Sequence, residues 1–184
     1  LLVFRGQTDA GLRQFLIARS TEPASALVRS WVSYAYYLQG QMDSALVESK
    51  RAFQSDSTNL TTLTLGALVL LKAHNVPGAL EYVRRMNRVN HAGFFVLGRT
   101  DSASARARLH EIEQRQRAAP WLIEGSRAFA MLGEGDTAQA ITSFERATAV
   151  HDVWPSEYAI EDPIFDSIRT NPRFQRLLHR VGLR

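Results

Sequence analysis

The sequence predicts an all-α protein that is built from antiparallel helix pairs stacked in a row. Small residues recur at equal intervals, at Gly11, Ala45 and Ala79, and an interval of about 34 residues is typical of a repeated helix pair. Five residues before the first two of them stand glycines, Gly6 and Gly40. A small residue at a fixed point lets two helices approach closely, and a glycine between the helices permits a tight turn. The constant interval therefore predicts a repeated helix hairpin.

The N-terminal half is predicted to hold a partial first pair and two complete pairs. The partial pair covers residues 1–21, lacks most of its first helix, and is followed by Pro23, where a helix should stop. His74 lies at the turn of the second complete pair, so we expect it to replace the usual glycine. The complete pairs are predicted at about 25–39 with 42–55 and at about 58–73 with 77–89.

The C-terminal half is predicted to hold a shortened third pair and a regular fourth pair. Ala140 comes seven positions earlier than two full repeats after Ala79 would place it. The fourth pair carries Gly135 at its turn, with Phe144 and Ala147 on its second helix. The helices are predicted as a stub near 90–97 and a long helix at about 101–117, then at about 119–132 and 136–149.

The repeat pattern stops at residue 151, and a capping segment follows. Asp162-Pro163 and Asn171-Pro172 each suit an N-cap followed by a first-turn proline, so two short helices are expected. The last helix should turn four apolar residues inward: Phe174, Leu177, Leu178 and Val181. A helix of this kind covers the open end of a repeat array. We therefore divide the chain into repeats at 1–150 and a C-terminal cap at 151–184.

The repeat resembles the tetratricopeptide repeat (TPR) family. Read from Ala26 as the first position, the sequence supplies family residues at five positions: Ser33, Tyr36, Gly40, Ala45 and Ala52. It departs from the family with Arg29, Ser49 and Ser57, where the family has Trp, Phe and Pro. The resemblance implies a right-handed superhelical solenoid that serves as an interaction scaffold.

The ending resembles the C-terminal cap of repeat regions in bacterial multidomain regulators. The resemblance is carried by the runs from Asp162 to Arg169 and from Asn171 to Leu183. Such regions are joined to serine/threonine kinase or winged-helix domains, some across a membrane segment. Because the chain opens Leu-Leu-Val-Phe without Met, we expect it to be part of a longer protein. A cytoplasmic location is favoured, and a periplasmic or other extracytoplasmic one stays open if the regulator is membrane-anchored.

Composition excludes several classes of function. The chain has no cysteine, so disulfide bonds, cysteine-ligated zinc and thiol nucleophiles are excluded. A net charge of +4 over 184 residues is too small to indicate direct binding of nucleic acid. The longest apolar stretch, at 63–71, is too short to cross a bilayer, so no membrane insertion is expected.

Residues that could carry chemistry have simpler explanations. The five histidines lack the spacing of a helical metal site. Two charged groups lie near the C-terminus: the acidic Glu157, Glu161, Asp162 and Asp166, and the basic Arg173, Arg176, Arg180 and Arg184. The first suits helix capping better than paired catalytic carboxylates, and the second suits a solvated helix face better than a phosphate or acidic-partner site. We therefore expect no catalytic residue, metal, cofactor or enzymatic activity.

The surface predicted to bind a partner is a groove. In the TPR family the first helix of each pair lines the concave side, and here that side lacks the Lys, Asn and Arg clamp for acidic C-terminal peptides. The predicted partner-binding residues are Tyr34, Tyr37, Leu38, Thr64, Leu68, Leu71 and Phe129. An apolar peptide or helix of a partner would fit them. Equally, they could be core, or be covered by the tail, a second subunit or a missing N-terminal segment.

The sequence therefore predicts a non-catalytic scaffold that binds a peptide or helix of a partner protein. The alternative is a ligand-sensing module of a larger bacterial kinase or transcription regulator. That alternative expects a small-molecule pocket at the shortened third pair, near Phe94, Phe95 and Trp121. A homo-oligomer stays open in both cases.

Overall fold

The structure, a computed structural model, describes residues 2–3, 6–86, 88–115, 123–150 and 161–183. Within these ranges all regular secondary structure is helical, so the predicted all-α class is confirmed. The helices are α1 (Thr8–Thr21), α2 (Ala26–Leu38), α3 (Met42–Ser55), α4 (Leu60–Lys72), α5 (Val76–Arg85), α6 (His91–Thr100), α7 (Ser102–Arg115), α8 (Glu124–Glu134), α9 (Thr137–Ala149), a 3-10 helix at Pro163–Phe165, and α10 (Pro172–Arg180).

The chain forms two compact units, Leu1–Gly93 and Phe94–Arg184. The first unit contains α1 to α5, and α2 packs against α1, α3 and α4. The second contains α7 to α10, and α8 packs against α7 and α9. The predicted boundary at residue 150 adjoins 151–160, which lie outside the described residues, so that division stays a prediction.

The observed helices lie within three residues of the predicted ones except at two ends. Helix α8 begins at Glu124, whereas its predicted start near 119 lies outside the described residues, and α5 ends early. That helix ends at Arg85, four residues before the predicted end, because the backbone turns extended at Met86 (φ −65°, ψ 122°). The chain then reaches Asn90, whose side-chain oxygen accepts a hydrogen bond from the Gly93 amide at 3.0 Å and caps α6. The residues predicted to extend α5 therefore form the connection to α6 instead.

The turns inside three helix pairs have the same backbone structure. Gly40, His74 and Gly135 all have positive φ, at 72°, 59° and 89°. In each turn the positive-φ residue donates to the carbonyl three residues back, and the next residue donates to the carbonyl five residues back. This double hydrogen bond is the Schellman motif, which satisfies the last carbonyls of the first helix and reverses the chain.

His74 confirms the predicted replacement of glycine in the second of these turns. Its backbone amide donates to the Leu71 carbonyl at 3.0 Å, and the Asn75 amide donates to the Leu70 carbonyl at 2.9 Å. The side chain is exposed, so no packing interaction compensates the steric cost of a left-handed conformation at a residue with a Cβ atom. The repeat therefore keeps its turn geometry here at the expense of local strain.

The small residues of the repeat lie where paired helices meet. Ala45, Ala79 and Ala140 are fully buried, one in the second helix of each pair. In the pair α2–α3 the contact is close enough for the buried Ser33 hydroxyl to donate to the Ala45 carbonyl at 2.7 Å. A larger side chain at these positions would separate the helices, so the sequence spacing reflects a packing requirement.

Two glycines make a second close approach, between α6 and α8. A Cβ atom added to Gly98 would lie 2.1 Å from the Ala130 carbonyl oxygen, and one added to Gly133 would lie 2.2 Å from the Phe95 carbonyl oxygen. Both obstacles are backbone atoms that cannot rotate away. The crossing of these helices therefore depends on glycine at both positions.

The C-terminal residues pack onto the second unit. Asp162 and Asn171 cap the two proline-started helices, accepting hydrogen bonds from the amides of Ile164 at 3.0 Å and Arg173 at 2.9 Å. Three of the four residues expected to face inward are buried, and Val181 is half-buried: Phe174, Leu177, Leu178 and Val181. Phe174 packs with Phe144 and Phe165 at ring-centroid distances of 6.0 and 5.5 Å. Aromatic packing thus holds α10 on the unit.

The strain at His74 predicts the effect of restoring glycine. His74→Gly should raise the free energy of unfolding by about 1 kcal/mol, because glycine adopts positive φ without a Cβ clash. Gly135→Ala, which places a Cβ atom in the equivalent conformation, should lower it by a similar amount. Urea denaturation followed by far-UV circular dichroism measures both. A His74→Gly protein no more stable than wild type would show that the turn is unstrained.

Candidate functional site

The structure buries most of the predicted partner-binding residues. Six of the seven lie on α2 and α4 of the first unit, and Phe129 lies on α8 of the second. Five are at most 7% exposed, namely Tyr34, Tyr37, Thr64, Leu68 and Phe129. Leu38 and Leu71 are half-buried. The five buried residues are core in this structure, and the part of all seven in partner binding stays a prediction.

One face of α2 is buried at its centre and reaches the surface at its ends. Leu27, Trp31, Tyr34 and Leu38 follow heptad spacing and therefore share a face of the helix. Tyr34 in the middle is 1% exposed, whereas Leu27 at one end is 46% exposed and Leu38 at the other is half-buried. On α4 the same pattern recurs, with Thr64 buried and with Leu60 and Leu71 reaching the surface at the two ends. We call these two faces the leucine-ended stripes.

Aromatic stacking connects the stripe of α2 to α1. The Trp31 ring stacks on Phe15 at 5.9 Å between centroids and meets the edge of Tyr34 at 6.0 Å, and Tyr34 stacks on Tyr37 at 5.7 Å. Sequence reasoning missed Trp31 and Phe15 as parts of this array. The three-residue spacing of Trp31, Tyr34 and Tyr37 was the available signal, because residues three apart are neighbours on a helix surface.

A charged cluster joins α1, α2 and α3. Glu48 on α3 is buried, with 4% of its side chain exposed, and forms ion pairs with three arginines. Its Oε1 accepts from Nη1 of Arg19 at 2.8 Å and of Arg51 at 3.3 Å, and its Oε2 accepts from Nη1 of Arg29 at 2.8 Å. We call Arg19, Arg29 and Arg51 with Glu48 the arginine cluster. A buried carboxylate is tolerated only when paired in this way.

Sequence reasoning also missed the arginine cluster, although it recorded Arg29 as a departure from the TPR pattern. A charged residue at a position that the family fills with Trp requires a compensating charge nearby. Glu48 lies on the next helix of the chain and could not be paired with Arg29 without knowing which helix faces meet. The unexpected arginine at position 29 was the available sign of an ion pair, but only the tertiary structure shows that its partner is Glu48.

A hollow lies between α7 and α8 in the second unit. It has a volume of about 220 Å³ and is lined by Arg106, Leu109, His110, Glu113, Arg127, Ala130, Met131 and Glu134. Ion pairs bridge its two ends: Arg106 with Glu134 at 3.1 Å, and Arg127 with Glu113. The sequence predicted a ligand pocket near three other residues. Phe94 is fully buried and Phe95 is half-buried, and neither lines the hollow. Trp121 lies outside the described residues.

The acidic group near the C-terminus is dispersed rather than paired. Asp162 is a buried N-cap, and Asp166 forms an ion pair with Arg169 at 2.9 Å. Glu161 is exposed, and Glu157 lies outside the described residues. Across the ranges that the structure describes, no three His, Asp or Glu side chains come together as a metal site. No helix in those ranges is both long and apolar enough to span a membrane.

The basic stripe of α10 is partly engaged within the unit. Arg173 binds Glu145 of α9 through two hydrogen bonds, Nε to Oε1 at 3.2 Å and Nη2 to Oε2 at 2.7 Å, and its Nη2 also donates to Thr142. Arg176 and Arg180 are exposed, and Arg184 lies outside the described residues. The hydrogen bond from Arg173 lowers the pKa of Glu145 below its ordinary value of 4.5.

No protein-family model matches the chain, and no curated protein matches it.

The lowered pKa of Glu145 predicts an acid sensitivity of the α9–α10 contact. A carboxylate with a lowered pKa stabilises the fold above its ordinary pKa of 4.5 and loses that contribution as the pH falls below it. The urea midpoint of wild type should therefore fall more steeply than that of Glu145→Gln as the pH decreases from about 6 to about 3.

Arg173→Lys serves as the matched variant for this measurement. It keeps the positive charge but loses the two-pronged geometry of the guanidinium, so its acid sensitivity should lie between the other two. Parallel curves for wild type and Glu145→Gln would mean that the ion pair contributes nothing to stability.

Proposed function

We propose that the chain is a non-catalytic helical-repeat module of the TPR type that binds a peptide or helix of another protein. The observation that carries the proposal is the recurring hairpin. Gly40 and His74 make the same left-handed turn one repeat apart, and each is followed five residues later by a fully buried alanine. Gly135 repeats the arrangement with Ala140. Stacked hairpins of this kind form a right-handed superhelical solenoid with an extended concave binding surface.

The proposed binding face consists of the first helices of the pairs, represented here by the leucine-ended stripes. Leu38 and Leu71 are members of the predicted set that reach the surface, and the exposed Leu27 and Leu60 extend the same faces. Apolar residues at helical spacing suit an amphipathic helix or an extended apolar peptide as ligand. The fully buried residues of the two stripes pack beneath this face and determine its shape.

This arrangement determines which substitutions can test the proposal. Tyr34 and Leu68 are at most 2% exposed, and truncating a buried Leu to Ala costs about 2–5 kcal/mol. Such variants would lose binding through unfolding. Leu38 and Leu71 are only half-buried, so replacing them should cost less stability than replacing Tyr34 or Leu68.

The test is selection of a phage-displayed peptide library on the immobilised protein. Peptides that bind wild type should lose most of their affinity for a Leu38→Ser, Leu71→Ser double variant, because it removes the apolar ends of both stripes. Fluorescence anisotropy with labelled peptides measures the dissociation constants. We expect a loss of about tenfold, which corresponds to about 1.4 kcal/mol.

The matched control is an Ile17→Ser, Val76→Ser variant. These residues are exposed and apolar but lie on α1 and α5, which are second helices of their pairs. The affinity of this variant for the peptides should match that of wild type. Equal binding by the Leu38, Leu71 variant, or equal loss by the control, would refute the first helices as the binding face.

A second candidate function is ligand sensing within a larger bacterial kinase or transcription regulator, and the hollow between α7 and α8 favours it. The hollow involves α7, the second helix of the shortened third pair, although it is not lined by Phe94 or Phe95, near which that alternative expects its pocket. Its apolar Leu109 and Met131 are flanked by charged groups, as a small zwitterionic ligand would require. At about 220 Å³ it is smaller than the roughly 300–1,000 Å³ of drug-sized sites. It therefore suits a fragment-sized molecule.

Saturation-transfer NMR with a set of amino acids and dipeptides tests this second candidate. A compound that occupies the hollow should bind wild type and lose its signal with Met131→Trp, which fills the space. Met42→Trp on α3 provides a bulky substitution in the first unit and should leave the signal unchanged. Binding that persists in Met131→Trp would place the ligand elsewhere.

A further inference from the structure

The arginine cluster carries more positive charge than its own carboxylate neutralises. Three guanidinium groups meet one carboxylate, Glu48, and leave a net charge of +2. Within the described residues no other Asp or Glu forms an ion pair with these arginines. Like charges held within contact distance of one anion repel one another, and a second anion would relieve that repulsion.

The arginines also retain hydrogen-bond donors that the described part of the first unit does not use. Arg29 donates Nη1 to Glu48 and Nε to the Pro23 carbonyl at 2.8 Å, which leaves its Nη2. Arg19 and Arg51 each donate only Nη1 to a described acceptor, so their Nε and Nη2 groups have no described acceptor. A guanidinium group with Nε and Nη2 available can bind a carboxylate through two parallel hydrogen bonds.

Burial of Glu48 holds these donors in position before any ligand arrives. The carboxylate is 4% exposed, and the arginine side chains are 33%, 16% and 56% exposed for Arg19, Arg29 and Arg51. Each arginine is anchored at one nitrogen by the buried carboxylate, Arg29 also at its Nε by the Pro23 carbonyl, and each keeps part of its side chain exposed. A preorganised side chain loses less conformational entropy on binding than a free surface arginine does.

We infer that the arginine cluster binds an acidic side chain, Asp or Glu, of a partner protein; this inference rests on the proposed function that the module binds protein. Charge complementarity identifies the ligand, since the excess of +2 calls for one or two carboxylates. A nucleic acid is disfavoured because its binding requires many phosphate contacts along an extended basic surface. The partner protein therefore presents at least one carboxylate to this cluster.

The inference is tested by NMR titration of the arginine Nε–Hε signals with two short peptides at low salt. The probes are acetyl-(Asp-Glu)3-amide and the uncharged acetyl-(Asn-Gln)3-amide. The acidic peptide should shift the signals of Arg19 and Arg51, and the uncharged peptide should not. Arg19→Gln and Arg51→Gln should each weaken binding of the acidic peptide by about threefold to tenfold, a range that allows for solvent screening at partly exposed sites.

Arg13→Gln on α1 is the matched control. Arg13 is exposed and forms no ion pair with a described residue, so its replacement removes one charge from the same helix outside the cluster. It should weaken binding by less than about twofold. Of Arg19→Gln and Arg51→Gln, we expect the second to disturb the fold less, because Arg51 is the most exposed of the three arginines. An unchanged urea midpoint verifies that this variant folds.

Three results would overturn the inference. The first is absence of binding by the acidic peptide, and the second is an equal loss of affinity in the Arg13→Gln control. The third is tighter binding of inorganic phosphate than of the acidic peptide, which would assign the cluster to a phosphate group. If library-selected peptides bind wild type but the acidic peptide does not, the inference fails while the proposed function stands. If no peptide is selected at all, the proposed function itself fails.

Discussion

The close approach of paired helices at their left-handed turns is the constraint on which the rest of the structure depends. A Schellman turn connects one helix to the next through very few residues, so the second helix must pack against the first within a few residues of the turn. Only small side chains fit at that point, and Ala45, Ala79 and Ala140 are accordingly fully buried. Where glycine is missing from the turn, His74 adopts the strained conformation rather than change the geometry. The hairpin is therefore a stronger requirement than the preference of any single residue.

Ion pairs supply contacts that apolar packing leaves out. Glu48 connects α3 to α1 and α2 in the first unit, and Arg173 connects α10 to α9 in the second. The two differ in setting: Glu48 is almost fully covered, whereas Glu145 and Arg173 are 36% and 42% exposed. A buried carboxylate is tolerated only when cationic side chains pair with it. An exposed ion pair adds little stability and mainly fixes the relative orientation of the two helices. The chain thus uses arginine both to hold helices together and to present charge at the surface.

The candidate binding face and the core are parts of the same helices. On α2 the heptad that begins at Leu27 passes through the buried Tyr34 and returns to the surface at Leu38. The scaffold and the proposed ligand surface therefore share side chains, and a substitution at the centre of the stripe alters both. Separating binding from stability requires residues at the ends of the stripes. The arginine cluster offers a second, chemically different contact on the same unit.

The sequence by itself determined the helix pairs, their turns, the two N-caps near the C-terminus and the place of His74, because each depends on residues close together in the chain. It did not determine that α5 ends at Arg85, nor that Tyr34 and Leu68 are covered while Leu38 and Leu71 reach solvent. The sequence also placed Arg29 and Glu48 on different helices, and no local pattern indicated that these two residues form an ion pair. Burial and charge pairing were decided by the tertiary structure alone, because both depend on which helix faces meet.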